Sequence, residues 1–116
     1  MVPVVEPPGE MIQITTEPLT EVQFYAFERV SERWGVEHWD DFYNLINKES
    51  GWNSEAQNPT SSAYGLGQFL DSTWSRVSCE KTSDPYKQID CAILYIESIH
   101  TNPQLAWDHS LAVNWY

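Results

Sequence analysis

Basic residues are scarce in this chain. Six lysines and arginines stand against seventeen aspartates and glutamates in 116 residues, a formal net charge of −11. Such a surface repels a phosphate backbone, so nucleic-acid binding is excluded as a function class. No apolar run reaches the roughly 18 residues of a membrane span. Residues 1–18 have neither the basic start nor the apolar stretch of a signal peptide. Export would therefore follow earlier processing or another route. His38, His100 and His109 show no ligand spacing with Asp, Glu or Cys, and no phosphate loop is present. No metal and no cofactor is expected. The length suits one domain and is too short for two.

Aromatics are plentiful, with six Trp, six Tyr and four Phe. A core needs some of them, and the remainder are candidates for stacking on sugar rings. Cys79 and Cys91 flank the loop-like "EKTSDPYKQ". A disulfide there would close a loop worth about 3 kcal/mol in an oxidising compartment. The alternative is two unpaired, partly buried thiols.

Residues 1–18 hold four of the seven prolines and no helical period. They read as an extended, partly disordered leader, with the domain over 19–116. Thr20 and Gln23 resemble a capping box opening a helix over about 21–34. Phe24, Phe27, Val30 and Trp34 form its expected apolar stripe, and Gly35 stops it. A second helix over about 38–50 carries Trp39, Phe42, Tyr43 and Ile46 on one face, and Gly51 ends it. Residues 52–69 are rich in Asn, Ser, Pro and Gly, which predicts turns with short strands. A short helix is expected over about 70–78. Asp84-Pro85 opens a fourth helix, with Ile89, Ala92, Ile93, Ile96 and Ile99 on one side. Asn102-Pro103 opens the last, over about 103–113. The fold class is mainly α: about five helices, with a small irregular β-like lobe between the second and third.

One acid breaks the pattern. Positions seven apart on a helix differ by only about 20° in direction. Glu49 follows Phe42 by seven and Ile46 by three, so it continues the buried stripe. An ionised carboxylate there is costly. Burial raises its pKa, which suits a general acid near neutral pH. Glu49 could instead bend to solvent or pair with Lys48 or Arg76. The glycine-rich turn that follows, Gly65-Leu66-Gly67-Gln68, would let backbone approach a ligand closely.

Glu49-Ser50-Gly51-Trp52, Ala56, Asn58, Ser62-Ala63-Tyr64-Gly65-Leu66-Gly67-Gln68-Phe69 and Thr73-Trp74 resemble the soluble lytic transglycosylase domain of the lysozyme-like superfamily. That family cleaves bacterial peptidoglycan. Its pattern is an acid followed by Ser, then about a dozen residues, then Gly-Ala-x-Gly-Leu-Met-Gln. Here Ser62 replaces the first Gly and Gly67 replaces the Met. The small resuscitation-promoting and aggregation-promoting relatives, and short goose-type-lysozyme-like members, have a similar arrangement.

The resemblance implies roles position by position. Glu49 is the catalytic acid/base. Ser50 and Gln68 bind substrate or hold Glu49, and the backbone at Gly65 and Gly67 lines the sugar groove. Tyr95 matches the tyrosine of the family's Gly-x-x-Tyr-Leu segment. Cys91 stands at that segment's usual Gly, consistent with a disulfide. "AWDHSLAVNWY" is similar to the Trp-x-x-His and terminal Trp-Tyr of the short relatives. In one register His109 takes the place of the family's Asn near substrate, and in another Asn114 does. His109 also reads as a core histidine. Among the aromatics, Tyr64 is expected on substrate, Phe69 and Trp74 in the core, and Trp52 in either.

Most glycosidases use two carboxylates. No second acid occupies a recognisable position here, since residues 52–69 contain no Asp. Glu55 reads as a loop charge and Asp71 as an exposed helix acid. The resemblance therefore implies a lytic transglycosylase that cleaves between N-acetylmuramic acid and N-acetylglucosamine and leaves 1,6-anhydro ends. The alternatives are a goose-type hydrolase using Glu55, or a non-catalytic glycan- or partner-binding module. The expected partner is peptidoglycan, without nucleic acid or a membrane span. A monomer is expected, in an extracytoplasmic setting and of cellular or phage origin.

Overall fold

A computed structural model describes residues 18–116. Helix α1 (Glu21–Trp34) starts where the capping box places it. Thr20 Oγ1 accepts from the Gln23 N–H and Gln23 Oε1 accepts from the Thr20 N–H, each at 3.1 Å. These bonds satisfy two backbone donors that a helix start leaves open. The buried residues of α1 are Ala26 and Val30. Val30 of the expected stripe is buried and Trp34 packs on the core, but Phe24 is half-exposed and stacks on Phe27 instead. Small side chains win the inner face because α1 packs directly on another helix.

A 3₁₀ turn, Val36–His38, leads into α2 (Trp39–Ser50). Phe42, Leu45 and Ile46 of α2 are buried. Trp39 and Tyr43 flank that face and pack around Trp52, with ring centroids 6.1 and 5.5 Å away. Gly51 caps α2 in the left-handed conformation, and Trp52 follows it there with φ 63°. Two such residues in succession turn the chain sharply out of the helix.

Residues 52–70 form no strand. Isolated antiparallel bridges, Gln57 to Tyr64 and Tyr64 to Phe69, are all that remains of the expected β-like lobe. Helix α3 (Asp71–Arg76) is shorter than expected. Ser78 is left-handed, the Cys79 N–H bonds Trp74 O, and the Ser78 N–H bonds Ser75 O. That pair of bonds is a Schellman stop. It delivers Cys79 to Cys91, and the two form a disulfide with Cα atoms 6.4 Å apart.

Helix α4 (Pro85–His100) is capped by Asp84, and α5 (Pro103–Val113) by Asn102. Ile89, Ala92, Ile93 and Ile96 are buried as the periodicity predicts, whereas Ile99 is partly exposed. Helix α4 packs against both α1 and α5, and α2 against α5. The core therefore lies along α4, with the ends of α2 and α5 meeting beside it. The extended leader expected over 1–18 lies, apart from Pro18, outside the described residues.

Candidate functional site

The chain between α2 and α3 is held by side chains as much as by backbone. Tyr64 and Phe69 exchange backbone hydrogen bonds of 3.1 and 3.2 Å, closing a turn over 65–68. Gly65 has φ 86°, and a Cβ on it would stand 2.7 Å from Gln88 Nε2. Only glycine serves there. Gln68, also left-handed, donates from Nε2 to Ala56 O and Gly65 O, each at 2.9 Å. Its side chain thus staples the turn from within.

Gln88 of α4 is the outer brace, and the motifs did not point to it. It is almost fully buried among the apolar residues of its helix. Its Oε1 accepts from the Leu66 N–H at 2.9 Å, and its Nε2 donates to Ser54 O and Thr82 O. One amide therefore joins α4 to three loop segments. The signal was available, because Gln88 interrupts an apolar face much as Glu49 does.

A groove of about 260 Å³ opens beside this turn. Glu49 of α2, Gly67 and Gln68 of the turn, Tyr95 of α4 and residues 114–116 after α5 line it, with Phe69, Leu70 and Thr73. Glu49 is the sole carboxylic-acid side chain in that lining. Burial pushes its pKa up, and neighbouring Lys48 pulls it partly back. No ion pair forms at Glu49 among the described residues. Lys48 is engaged elsewhere, donating to Ser110 O, Ser110 Oγ and Asn114 Oδ1. Arg76 is not in the lining either. Neither proposed partner neutralises the acid, which continues the inner face of α2 as its spacing predicts.

Tyr116 fills the inner end of the groove. Its hydroxyl donates to Gly67 O at 3.0 Å, and its main-chain oxygen accepts from the Tyr95 hydroxyl. Burial raises the pKa of both phenols and the nearby Glu49 adds to it, while Arg76 partly offsets the rise at Tyr95. Both phenols stay neutral, and each has its proton committed to a main-chain oxygen. The phenols shape the floor without adding charge of their own.

The expected site residues divide. Glu49, Gly67, Gln68 and Tyr95 come together in the groove. Ser50, Tyr64, Gly65 and His109 stand outside its lining. Ser50 Oγ donates back to Ile46 O within its own helix. The Tyr64 hydroxyl pairs with Ser83, and its ring lies under Lys81. Gly65 faces Gln88. His109 packs against His100 and Trp115, with ring centroids 5.1 and 4.4 Å away. Of the two registers, Asn114 is the one whose residue reaches the groove. Phe69 and Trp74 are core residues as expected, and Trp52 joins the aromatic cluster on α2. Glu55 is exposed and Asp71 pairs with Lys81, so neither faces Glu49 across the groove.

Two larger hollows lie elsewhere. One, of about 370 Å³, runs along α1 and α4, where Arg29 pairs with Asp90 and Arg33 with Glu97. The other, of about 340 Å³, surrounds the disulfide. Neither brings an unpaired acid beside a glycine-rich turn. Among the described residues no cluster of three metal-ligating side chains occurs, and no helix is long and apolar enough to cross a membrane.

Comparison with curated proteins and with solved structures finds no match. A family model does match: that of the transglycosylase SLT domain, over residues 26–114, from α1 to the cap of α5. The matched span contains the mainly helical frame, Glu49 and the turn beside it, and the chain belongs to the transglycosylase SLT domain family, with its lysozyme-like fold.

Proposed function

We propose that the protein is a peptidoglycan lytic transglycosylase with Glu49 as its only catalytic acid/base. The observation that carries this reading is a single half-buried carboxylic acid, with raised pKa and no ion-pair partner among the described residues, in the groove lining. An acid that keeps its proton to higher pH than usual is better placed to give it to a leaving oxygen.

Glu49 would protonate the β-1,4 glycosidic oxygen between N-acetylmuramic acid and N-acetylglucosamine. The C1–O bond breaks, and the 2-acetamido group of the muramyl residue stabilises the positive charge at C1. Ionised Glu49 then takes the proton of the muramyl 6-hydroxyl, whose oxygen attacks C1 and closes the 1,6-anhydro ring. The acid ends in its starting state, and no water is consumed. The nucleophile belongs to the substrate, so proximity replaces a second carboxylate. A hydrolase would need a group to hold water, and neither Glu55 nor Asp71 is in the groove.

Peptidoglycan lies outside the cytoplasmic membrane, and the Cys79–Cys91 disulfide suits an oxidising compartment. An extracytoplasmic site of action follows from both.

Mass spectrometry of products from purified peptidoglycan tests the proposal, with Glu49→Gln run beside the parent. Anhydro-muropeptides from the parent alone are expected. Reducing-end products would make the protein a lysozyme, and no products would leave a glycan-binding module.

A further inference from the structure

Trp115 is the most exposed aromatic in the groove lining, with 58% of its surface open, whereas Phe69, Tyr95 and Tyr116 in the same wall are buried. A large apolar ring left open in the wall of a groove gains the stabilisation of burial only when a ligand covers it. Its mounting is stiff on both sides. Asn114 before it is left-handed with its N–H on Ser110 O at 2.8 Å, and its side chain accepts from Lys48. Tyr116 after it is tied to Gly67 and Tyr95. The indole packs perpendicular to the His109 ring, at 82°.

We infer that Trp115 is the sugar-stacking platform of this groove and takes the apolar face of one N-acetylhexosamine ring of the glycan. The inference rests on the reading of the Glu49 groove as a glycan site. The face of a pyranose formed by its axial C–H bonds is apolar and weakly positive, and it complements the negative face of an indole. A residue held by its neighbours on both sides gives up little backbone freedom on binding. Charge cannot replace this contact: with a net −11, the protein gains no general attraction to an anionic wall polymer. Leu70, also partly exposed, is the remaining open apolar side chain of the lining. Trp115 therefore sets how tightly the glycan is held, while Glu49 sets what happens to it.

Calorimetric titration of Glu49→Gln with a tetramer of N-acetylglucosamine measures binding without turnover. Adding Trp115→Ala should weaken binding by about tenfold or more, the size expected for loss of a central aromatic anchor. Trp115→Phe should keep most of the affinity. Trp115→Leu, which preserves apolar packing on His109, should bind as poorly as the alanine variant and guards against misfolding. In the active protein, Trp115→Ala should raise KM on peptidoglycan with little change in kcat. Undiminished binding by the alanine and leucine variants would overturn the inference, as would absence of tetramer binding by Glu49→Gln itself. The product analysis is independent. Trp115-dependent binding without cleavage would sink the transglycosylase reading and leave the platform standing. Cleavage with Trp115-independent binding would do the reverse.

Discussion

The hydroxyl of Tyr116 donates to the carbonyl of Gly67 at 3.0 Å, across a sequence separation of 49. A Cβ on Gly67 would stand 2.7 Å from that hydroxyl and 3.0 Å from Phe69 Cε1. The missing side chain of one residue is therefore the space occupied by the other. This pair joins the glycine-rich turn to the segment after α5 and closes the inner end of the groove.

Gly67→Ala should lower stability by about 1–3 kcal/mol, the usual cost of overpacking a closed site. Tyr116→Phe removes the atom nearest the added methyl. The double variant should thus lose less than the sum of the two single losses, because the residues share one space. Urea unfolding of the four proteins checks this, and strict additivity would mean that the turn moves away instead.

Glu49 links stability to pH. Burial lifts its pKa above the ordinary 4.5, so the folded protein keeps a proton that the unfolded chain has already lost between those values. Stability is full below the ordinary value and falls as pH rises through the raised one. Glu49→Gln should therefore be more stable than the parent at neutral pH, with the gap closing near about pH 4. The same substitution should cut cleavage by at least about a hundredfold, the lower range for losing a general acid. Thermal unfolding at the two pH values, beside product release, reads both effects.

Lys48 sits next to Glu49 and lowers its pKa, yet its ammonium is bonded to Ser110 and Asn114. Lys48→Met should move the alkaline limb of the activity profile to higher pH. It should also cost about 1 kcal/mol from lost hydrogen bonds to the end of α5. A profile unchanged on its alkaline side would show that Glu49 does not set that limb.

Gln88→Ala should cost at least about 2 kcal/mol, since it strands the Leu66 N–H in a buried place. Activity should fall further than stability explains, because the turn beside Glu49 loses its outer brace. Comparing kcat/KM with the urea midpoint separates the two effects.

Reduction of Cys79–Cys91 should remove about 3 kcal/mol on the chain-entropy estimate. The loop behind Cys79 supplies Thr82 O to Gln88 and Ser83 to Tyr64. Activity should thus decline in reductant at denaturant concentrations where the protein is still folded. Parallel unfolding and turnover curves, with and without reductant, check the order of events.

Local chemistry was legible in the amino-acid order. The capping box at Thr20, the left-handed Gly51 and the Asp84-Pro85 and Asn102-Pro103 starts each involve neighbours within a turn, so spacing alone predicts them. The position of Glu49 on the inner face of α2 is likewise a matter of period. Other features depended on what the fold brings alongside. Phe24 lost its inner place to Ala26 because an adjacent helix left little room there. Tyr64 turned toward Ser83, and the hydroxyl of Ser50 turned to its own helix. Gln88 became the brace of a turn 22 residues away. Tyr116 follows the last helix, where no periodicity says which way a side chain points. Its place in the groove, and the exposure of Trp115 beside it, were decided by Lys48 of α2, Gly67 of the turn and Tyr95 of α4, which each bond the segment after α5. Period and capping act over one or two helical turns; the groove is made of contacts between residues far apart in the chain, and only packing could choose them.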